Sequence, residues 1–157
     1  MPHNGCSRMH PEQVFSLANS VALAGWILLI FGGRARWTAN LVCGLIVPVL
    51  LASLYAWLIL AHWGETAGSF GTLAGVTALF SNPWLLVAGW VHYLTFDLFI
   101  GCWELRDARQ RGIPHLIAVP CLLLTFLFGP AGLLLYLAVR FAATRTAALQ
   151  PDPGLGL

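Results

Sequence analysis

Four long apolar stretches constrain the fold of this chain more than any other feature of its sequence. A helix needs roughly 20 mostly apolar residues to cross a bilayer at about 1.5 Å per residue. The stretches that meet this length are about 13–31, 38–62, 83–103 and 115–139. Only 9% of the residues are charged, against about 25% in an ordinary soluble domain. The sequence therefore predicts an all-α integral membrane protein, a four-helix transmembrane bundle over 13–140.

The remaining segments predict tails and connections. Polar residues and prolines indicate loose tails at 1–12 and 141–157, and Gly32–Trp37 predicts a tight turn. Residues 70–80 are apolar, but this segment is too short to span a bilayer, so we expect a short interfacial or re-entrant helix between helices two and three. The first and third loops hold more arginines than the tails, which favours cytoplasmic loops and both tails outside.

The first apolar stretch differs from a signal peptide. It is longer than the roughly 7–15 residues of a signal core, and no small-residue cleavage site follows it. We expect a retained helix. No Ser-rich or Arg-rich transit segment precedes it, which favours a bacterial protein of the inner (plasma) membrane.

Cysteines and basic residues exclude some classes of site. The four cysteines show no CxxC spacing, so we expect neither a disulfide framework nor a metal site; they are Cys6, Cys43, Cys102 and Cys121. The basic residues form no long run, so nucleic acid is not an expected partner.

Helix three carries polar side chains at depths where lipid is expected. A charged residue at the centre of a membrane helix costs about 2.5–3.5 kcal/mol on insertion scales. Asp97 lies about four residues past the middle of the predicted helix, and no Lys or Arg occurs at its depth. An intramembrane ionisable residue of this kind indicates a functional site. We expect its carboxylate to face the bundle interior, within hydrogen-bonding reach of His92 or of a polar group on helix one or two.

Helical spacing sorts the neighbours of Asp97 into two stripes. Tyr93 and Glu104 share one stripe with Asp97. The second stripe, about 100° around the helix, contains His92, Phe99 and Arg106. We expect both stripes to line one broad cavity, with Trp90 deep enough in the helix to wall it.

Each polar residue near this cavity also has a purely structural interpretation. His92 could bond a backbone carbonyl of another helix, and Glu104 could pair with Arg106 at the interface. Asp107 could belong to a solvated loop network with nearby arginines, and His115 could be a helix-start histidine at the membrane surface.

Part of the chain resembles a known family. The segment "NPWLLVAGWVHYLTFDLFIGCWELRDARQRGIPHL", followed by "PCLLLTFLFGPAGLLLYLAVR", resembles the abscisic-acid-deficient-four-like family. The likeness is close over about 82–140 and general over the first 80 residues. The positions that match the shared W-x-H…D-L-F core are Trp90, His92, Asp97, Leu98 and Phe99. The GIPH and GPAGLLLY segments resemble its bacterial branch. Plant members of the family are associated with neoxanthin synthesis.

The resemblance implies carotenoid chemistry. Violaxanthin and neoxanthin are isomers, and opening the epoxide to an allene requires one proton delivered to oxygen and another removed from carbon. No cofactor is needed, because acidic and basic side chains can transfer both protons. We therefore expect a membrane isomerase of a carotenoid or isoprenoid, with Asp97 as acid, His92 as base or orienting partner, and Glu104 assisting. Expected ligand-binding residues are Trp90, Tyr93, Phe99, Asp107 and His115.

Other functions remain open from the sequence. A non-catalytic carotenoid- or lipid-binding scaffold, or an accessory subunit of a pigment pathway, would use the same cavity. A haem or metal protein would use His92 and His115, although paired histidines at facing depths are missing. Transport would require oligomerisation of this 17.0 kDa chain. Expected partners are a lipid-soluble polyene and membrane lipids, and a homodimer is compatible with the sequence.

Overall fold

Six α-helices make up most of the part of the chain that the computed structural model describes, residues 9–32 and 38–145. They are α1 (Pro11–Phe31), α2 (Val47–His62), α3 (Leu73–Phe80), α4 (Pro83–Gln110), α5 (His115–Phe128) and α6 (Pro130–Thr144). A π-helical segment, Thr38–Ile46, runs directly into α2, and a 3₁₀ turn, Trp63–Glu65, follows it. The described residues contain no β-strand, so the all-helical prediction is confirmed.

The predicted tails and first turn lie mostly outside the described residues. Positions 1–8, 33–37 and 146–157 are not described, and they include Cys6. In the part of the chain that is described, the first helix begins at Pro11 and the last ends at Thr144.

Three helical spans within residues 9–32 and 38–145 are long and apolar enough to cross a membrane. They are Pro11–Phe31, Asn40–Glu65 and Pro83–Gln110, with mean hydropathies of 2.1, 2.3 and 1.5. These spans coincide with the first three apolar stretches of the sequence and are compatible with a membrane protein. Helix α4 is longer than predicted, because the polar sequence after Trp103 continues as helix to Gln110.

Local sequence explains where α4 begins. The side-chain oxygen of Asn82 accepts a hydrogen bond from the backbone N–H of Trp84 at 2.9 Å. An asparagine at the N-cap position accepts a hydrogen bond from a first-turn backbone N–H that has no acceptor within the helix. Pro83 occupies the first helical position, where its missing N–H costs nothing.

Helix α4 is the centre of the bundle. Gly25 and Trp26 of α1 pack against Leu98 and Gly101 of α4, so these two helices run parallel. The ring of Tyr55 on α2 lies 5.5 Å from that of His92, and residues near the start of α2 face Thr95 and Phe99, so α2 runs antiparallel to α4.

The predicted short helix between helices two and three is confirmed as the eight-residue α3. The Thr72 hydroxyl accepts a hydrogen bond from the Gly75 N–H at 3.0 Å and caps its start. The Phe80 ring, at the end of α3, packs against Gly89 of α4. This contact places α3 beside the first half of α4.

The predicted fourth helix, 115–139, is not continuous. Helix α5 ends at Phe128 and α6 begins at Pro130. Gly129 between them has φ 45° and ψ −99°, a backbone conformation that L side chains rarely adopt. The two helices pack closely, because a Cβ on Gly132 would collide with Thr125. Residues 115–144 therefore form a helical hairpin, and a four-helix transmembrane bundle is not confirmed.

The hairpin enters and leaves on the same side of the bundle. At its start, the His115 Nε2 lies 2.9 Å from the carbonyl oxygen of Ile30, near the end of α1. Its tip at Gly129 lies beside Asp97, midway along α4. Helix α6 then returns until Arg140 reaches Asp107 at 2.9 Å. The hairpin therefore covers only the second half of α4.

This topology makes a prediction about the two ends of the helical region. Three spans place Pro11 and Thr144 on opposite sides of a membrane, whereas four spans would place them on the same side. We expect reporters fused to the N- and C-termini to lie on opposite sides of the membrane in intact cells. A reporter inserted at the exposed Gly112 should match the C-terminal one. Two termini on one side would contradict the hairpin.

Candidate active site at the tip of the hairpin

Asp97 lies where the hairpin tip meets α4. Its Oδ1 is 2.8 Å from the position that a Cβ on Gly129 would occupy. Any larger residue at position 129 would therefore displace the carboxylate. The Asp97 side chain is half-buried, and its Oδ2 is buried without a hydrogen-bond partner among the described residues. Buried polar atoms are usually paired, so this oxygen is available to a ligand or a proton.

Tyr93 lies one helical turn before Asp97, and its hydroxyl is within hydrogen-bonding reach of the Asp97 carboxyl group. The Tyr93 hydroxyl donates a hydrogen bond to the backbone oxygen of Leu127 at 3.4 Å. Its ring centroid lies 5.3 Å from that of Trp90. Tyr93 therefore connects the carboxylate, the hairpin tip and the first half of α4.

Glu104 lies on the same face of α4, two turns beyond Asp97. It is fully buried, and the Thr125 hydroxyl is 2.9 and 3.1 Å from its two carboxylate oxygens. The predicted interfacial pair with Arg106 is wrong, because Glu104 faces α5. Two residues along a helix correspond to about 200° of rotation, so Arg106 lies on the opposite side of α4.

His92 does not meet Asp97 in the structure. Five residues separate the two, which is about 140° around the helix and about 7.5 Å along it. The exposed His92 ring lies 5.5 Å from the Tyr55 ring and 4.6 Å from the Phe96 ring. Phe99 faces a cavity beside Pro48, also on the α2 side. The expectation that both stripes line one cavity is wrong, because different helices cover them.

Asp107 and His115 both have protein partners. Asp107 is buried and accepts hydrogen bonds from the Tyr136 hydroxyl at 2.7 Å and from the Nε of Arg140 and Arg111, each at 2.9 Å. The solvated loop network predicted for Asp107 is therefore wrong, because α6 returns over this end of α4. The sequence alone could not show that Asp107 contacts α6, because that contact depends on the chain reversing between α5 and α6. The contact between His115 and Ile30 fits its structural interpretation, a histidine at the start of a helix.

A cavity of about 370 Å³ lies beyond the hairpin tip, between α1 and α4. Residues of α1 from Phe15 to Leu23 line it together with Leu94 and Phe126. At its edge, the Trp90 Nε1 donates a hydrogen bond to the Asn19 side-chain oxygen at 3.0 Å, and the Phe15 and Trp90 rings lie 5.6 Å apart. Asp97 is not among the described residues that line this cavity, but Leu94, which does line it, lies about one helical turn before Asp97 on α4.

These features define a helical protein compatible with a membrane, with three candidate spans and a carboxylate midway along the third. A comparison with protein-family models matches residues 13–136 to the family described as ABA DEFICIENT 4-like, and the chain belongs to this family. The match extends the sequence resemblance to α1 and is consistent with a carotenoid-related role. Neither the curated proteins nor the solved structures contain a significant match.

Proposed function

We propose that this protein is a membrane-embedded isomerase of a carotenoid or related isoprenoid, with Asp97 as the acid–base group. The observation that carries the proposal is the buried Oδ2 of Asp97, which has no partner among the described residues at the hairpin tip. Family membership supports a polyene as the substrate class. The proposed reaction is neoxanthin-synthase-like, an opening of an epoxide to an allene.

One carboxyl group can carry out both proton transfers of this reaction. The protonated Asp97 gives its proton to the epoxide oxygen as the carbon–oxygen bond breaks. A carbon next to the developing cation then loses a proton to the carboxylate, and a new double bond forms. The substrate keeps its composition and Asp97 regains its proton, so the step balances without a cofactor. General acid–base assistance of this kind requires contact with the reacting atoms.

Glu104 has a different place in this proposal. It lies seven residues from Asp97, which is about 10.5 Å along a helix. It is fully buried, and both of its carboxylate oxygens contact the Thr125 hydroxyl on α5. We therefore place Glu104 in the packing of the hairpin, with at most an indirect effect on the reaction.

The cavity beyond the tip provides the route for the substrate. Its apolar side chains, Phe15, Leu94 and Phe126, suit a polyene, and Asn19 and two serines add polar groups on the α1 side. Acyl chains border this region if α1 and α4 span a membrane. A lipid-soluble molecule could therefore reach Asp97 without passing through water.

Pigment analysis of a carotenoid-producing bacterial host tests this function. We expect the host that expresses the protein to accumulate a new isomer with the mass of an existing epoxy-carotenoid. A host with the empty vector is the control. A pigment that purifies with the protein but is chemically unchanged would instead support a binding scaffold.

His92→Gln is expected to retain most of the wild-type turnover. His92 lies on the α2 side of α4, where it contacts the rings of Tyr55 and Phe96 and lines a cavity that does not include Asp97. The measurement is product formation in membranes that contain equal amounts of each variant. A loss as large as that of an Asp97 variant would mean that His92 reaches the substrate and would restore its predicted role as base.

A non-catalytic pigment-binding protein is the second candidate. One observation favours it: a cavity of about 250 Å³ between α2, α3 and α4 is lined mainly by apolar and aromatic side chains, including Tyr55, Trp63, Phe70 and Phe80. His92 also lines it, but no carboxylate does among the described residues, so this cavity could hold a ring end group away from the proposed acid Asp97.

A further inference from the structure

A polar cavity of about 330 Å³ lies at the end of α4 beside the π-helical segment. Asn40, Arg106, Arg109 and Gln110 line it. All four side chains carry N–H donors, and both arginines are permanently charged. No carboxylate occurs among the described residues that line this cavity. Its chemistry therefore differs from that of the apolar cavities farther along the bundle.

The nearest acidic side chains face other partners. Glu104 bonds Thr125, and Asp107 accepts hydrogen bonds from Tyr136 and two arginines outside the cavity. Arg106 is half-buried, and it makes no hydrogen bond or ion pair with another described residue. A bound anion could form charge-assisted hydrogen bonds with this guanidinium.

The position of the cavity indicates which anion is available. Two of the candidate spans end at this level, one at Asn40 and the other at Gln110. The ends of membrane-spanning helices lie where the apolar core of a bilayer gives way to headgroups. Phosphate groups of lipids therefore lie at the height of the two arginines.

We propose that this cavity is a binding site for a phosphate group, supplied by an anionic phospholipid. A guanidinium can form two parallel hydrogen bonds with phosphate oxygens, and such charge-assisted bonds are among the strongest in proteins. Arg106 supplies this geometry, Arg109 adds a second positive charge beside it, and the side-chain amides of Asn40 and Gln110 donate to the remaining oxygens. The site is separate from Asp97 and independent of the proposed isomerase.

Native mass spectrometry and ligand titration in detergent test the site. The purified full-length protein is titrated with phosphatidylglycerol in one series and with inorganic phosphate in another. We expect phosphatidylglycerol to bind, and Arg106→Gln to weaken its binding about tenfold, as expected for the loss of a charged hydrogen-bonding group. Binding of inorganic phosphate alone, lost in Arg106→Gln, would keep the site but identify free phosphate as its ligand.

Arg145→Gln is the matched control. It removes the same charge from an exposed position at the end of α6, on the same side of the bundle. An equal loss of binding in both variants would mean that net charge, and not this cavity, attracts the anion. Gln110→Ala, at an exposed position, tests the site if Arg106→Gln does not fold, and it should weaken binding severalfold. Wild-type affinity in the folded Arg106→Gln protein, or no binding of either ligand, would overturn the proposal.

Discussion

Asp97→Asn is expected to lower the rate of product formation by about 10²–10⁴-fold, the range typical of general acid–base assistance. Asparagine keeps the size of aspartate and can still form hydrogen bonds beside Gly129. It cannot release a proton as a carboxylic acid does. The Oδ2 of Asp97 has no partner among the described residues, so the substitution breaks no hydrogen bond at that atom. The variant should therefore fold and still bind its ligand.

Chromatography of pigments from membranes with equal protein content measures this effect. Glu104→Gln is the matched control, because it makes the same carboxylate-to-amide change two turns away. Its amide oxygen can still accept the hydrogen bond from Thr125, so we expect a milder loss. Normal turnover by Asp97→Asn would remove the proposed acid and would make the pigment-binding scaffold the better description.

Asp107→Ala is expected to destabilise the protein by about 3–5 kcal/mol, as is typical when one partner of a buried ion pair is removed. The Arg140 side chain is only 2% exposed and that of Asp107 only 6%. Without the carboxylate, Arg140 and the Tyr136 hydroxyl would lose their shared acceptor inside the protein. Because both residues belong to α6, the hairpin should separate from α4 first.

Equilibrium unfolding in mixed micelles, followed by circular dichroism, measures this loss. Glu65→Ala is the control, since Glu65 also lies beside a basic side chain: His62 Nδ1 is 2.9 Å from its Oε2. That carboxylate is 50% exposed, and exposed pairs contribute little. We expect the control to unfold almost as the wild type does. Similar unfolding of Asp107→Ala would show that the network does not hold the hairpin.

The three candidate spans were predictable from the sequence because their apolar runs are long enough to cross a bilayer. The end of α4 was not, since the charged residues from Glu104 to Arg111 suggest a solvated loop. In the structure, α5 and α6 cover this part of α4, and the charges of Asp107 and Arg140 pair with each other. Such a pairing depends on residues 33 positions apart, which local patterns cannot show.

The hairpin was also hidden in the sequence. Residues 115–139 form an apolar run long enough for one helix. Hydropathy does not show whether the chain continues straight through such a run or turns back within it. The positive φ of Gly129 and the close approach of Gly132 to Thr125 reverse the chain between the two helices. Helical spacing alone could have separated His92 from Asp97, since five residues place them about 140° apart. Only the structure shows which helix covers the α4 face of His92 and which covers that of Asp97.

The short reach of the hairpin has a consequence for the lipids around it. Helices α5 and α6 fill the half of the bundle that contains Gln110, and the cavity lined by Leu94 and Phe126 opens in the other half, beyond the hairpin tip. In a bilayer, that opening would face the acyl chains of a single leaflet. A polyene lying in that leaflet could bring its end group to the membrane midplane, whereas one in the opposite leaflet would meet the hairpin. Under the proposed function, the protein would use the pigment of one leaflet, and its supply would depend on movement of pigment across the bilayer.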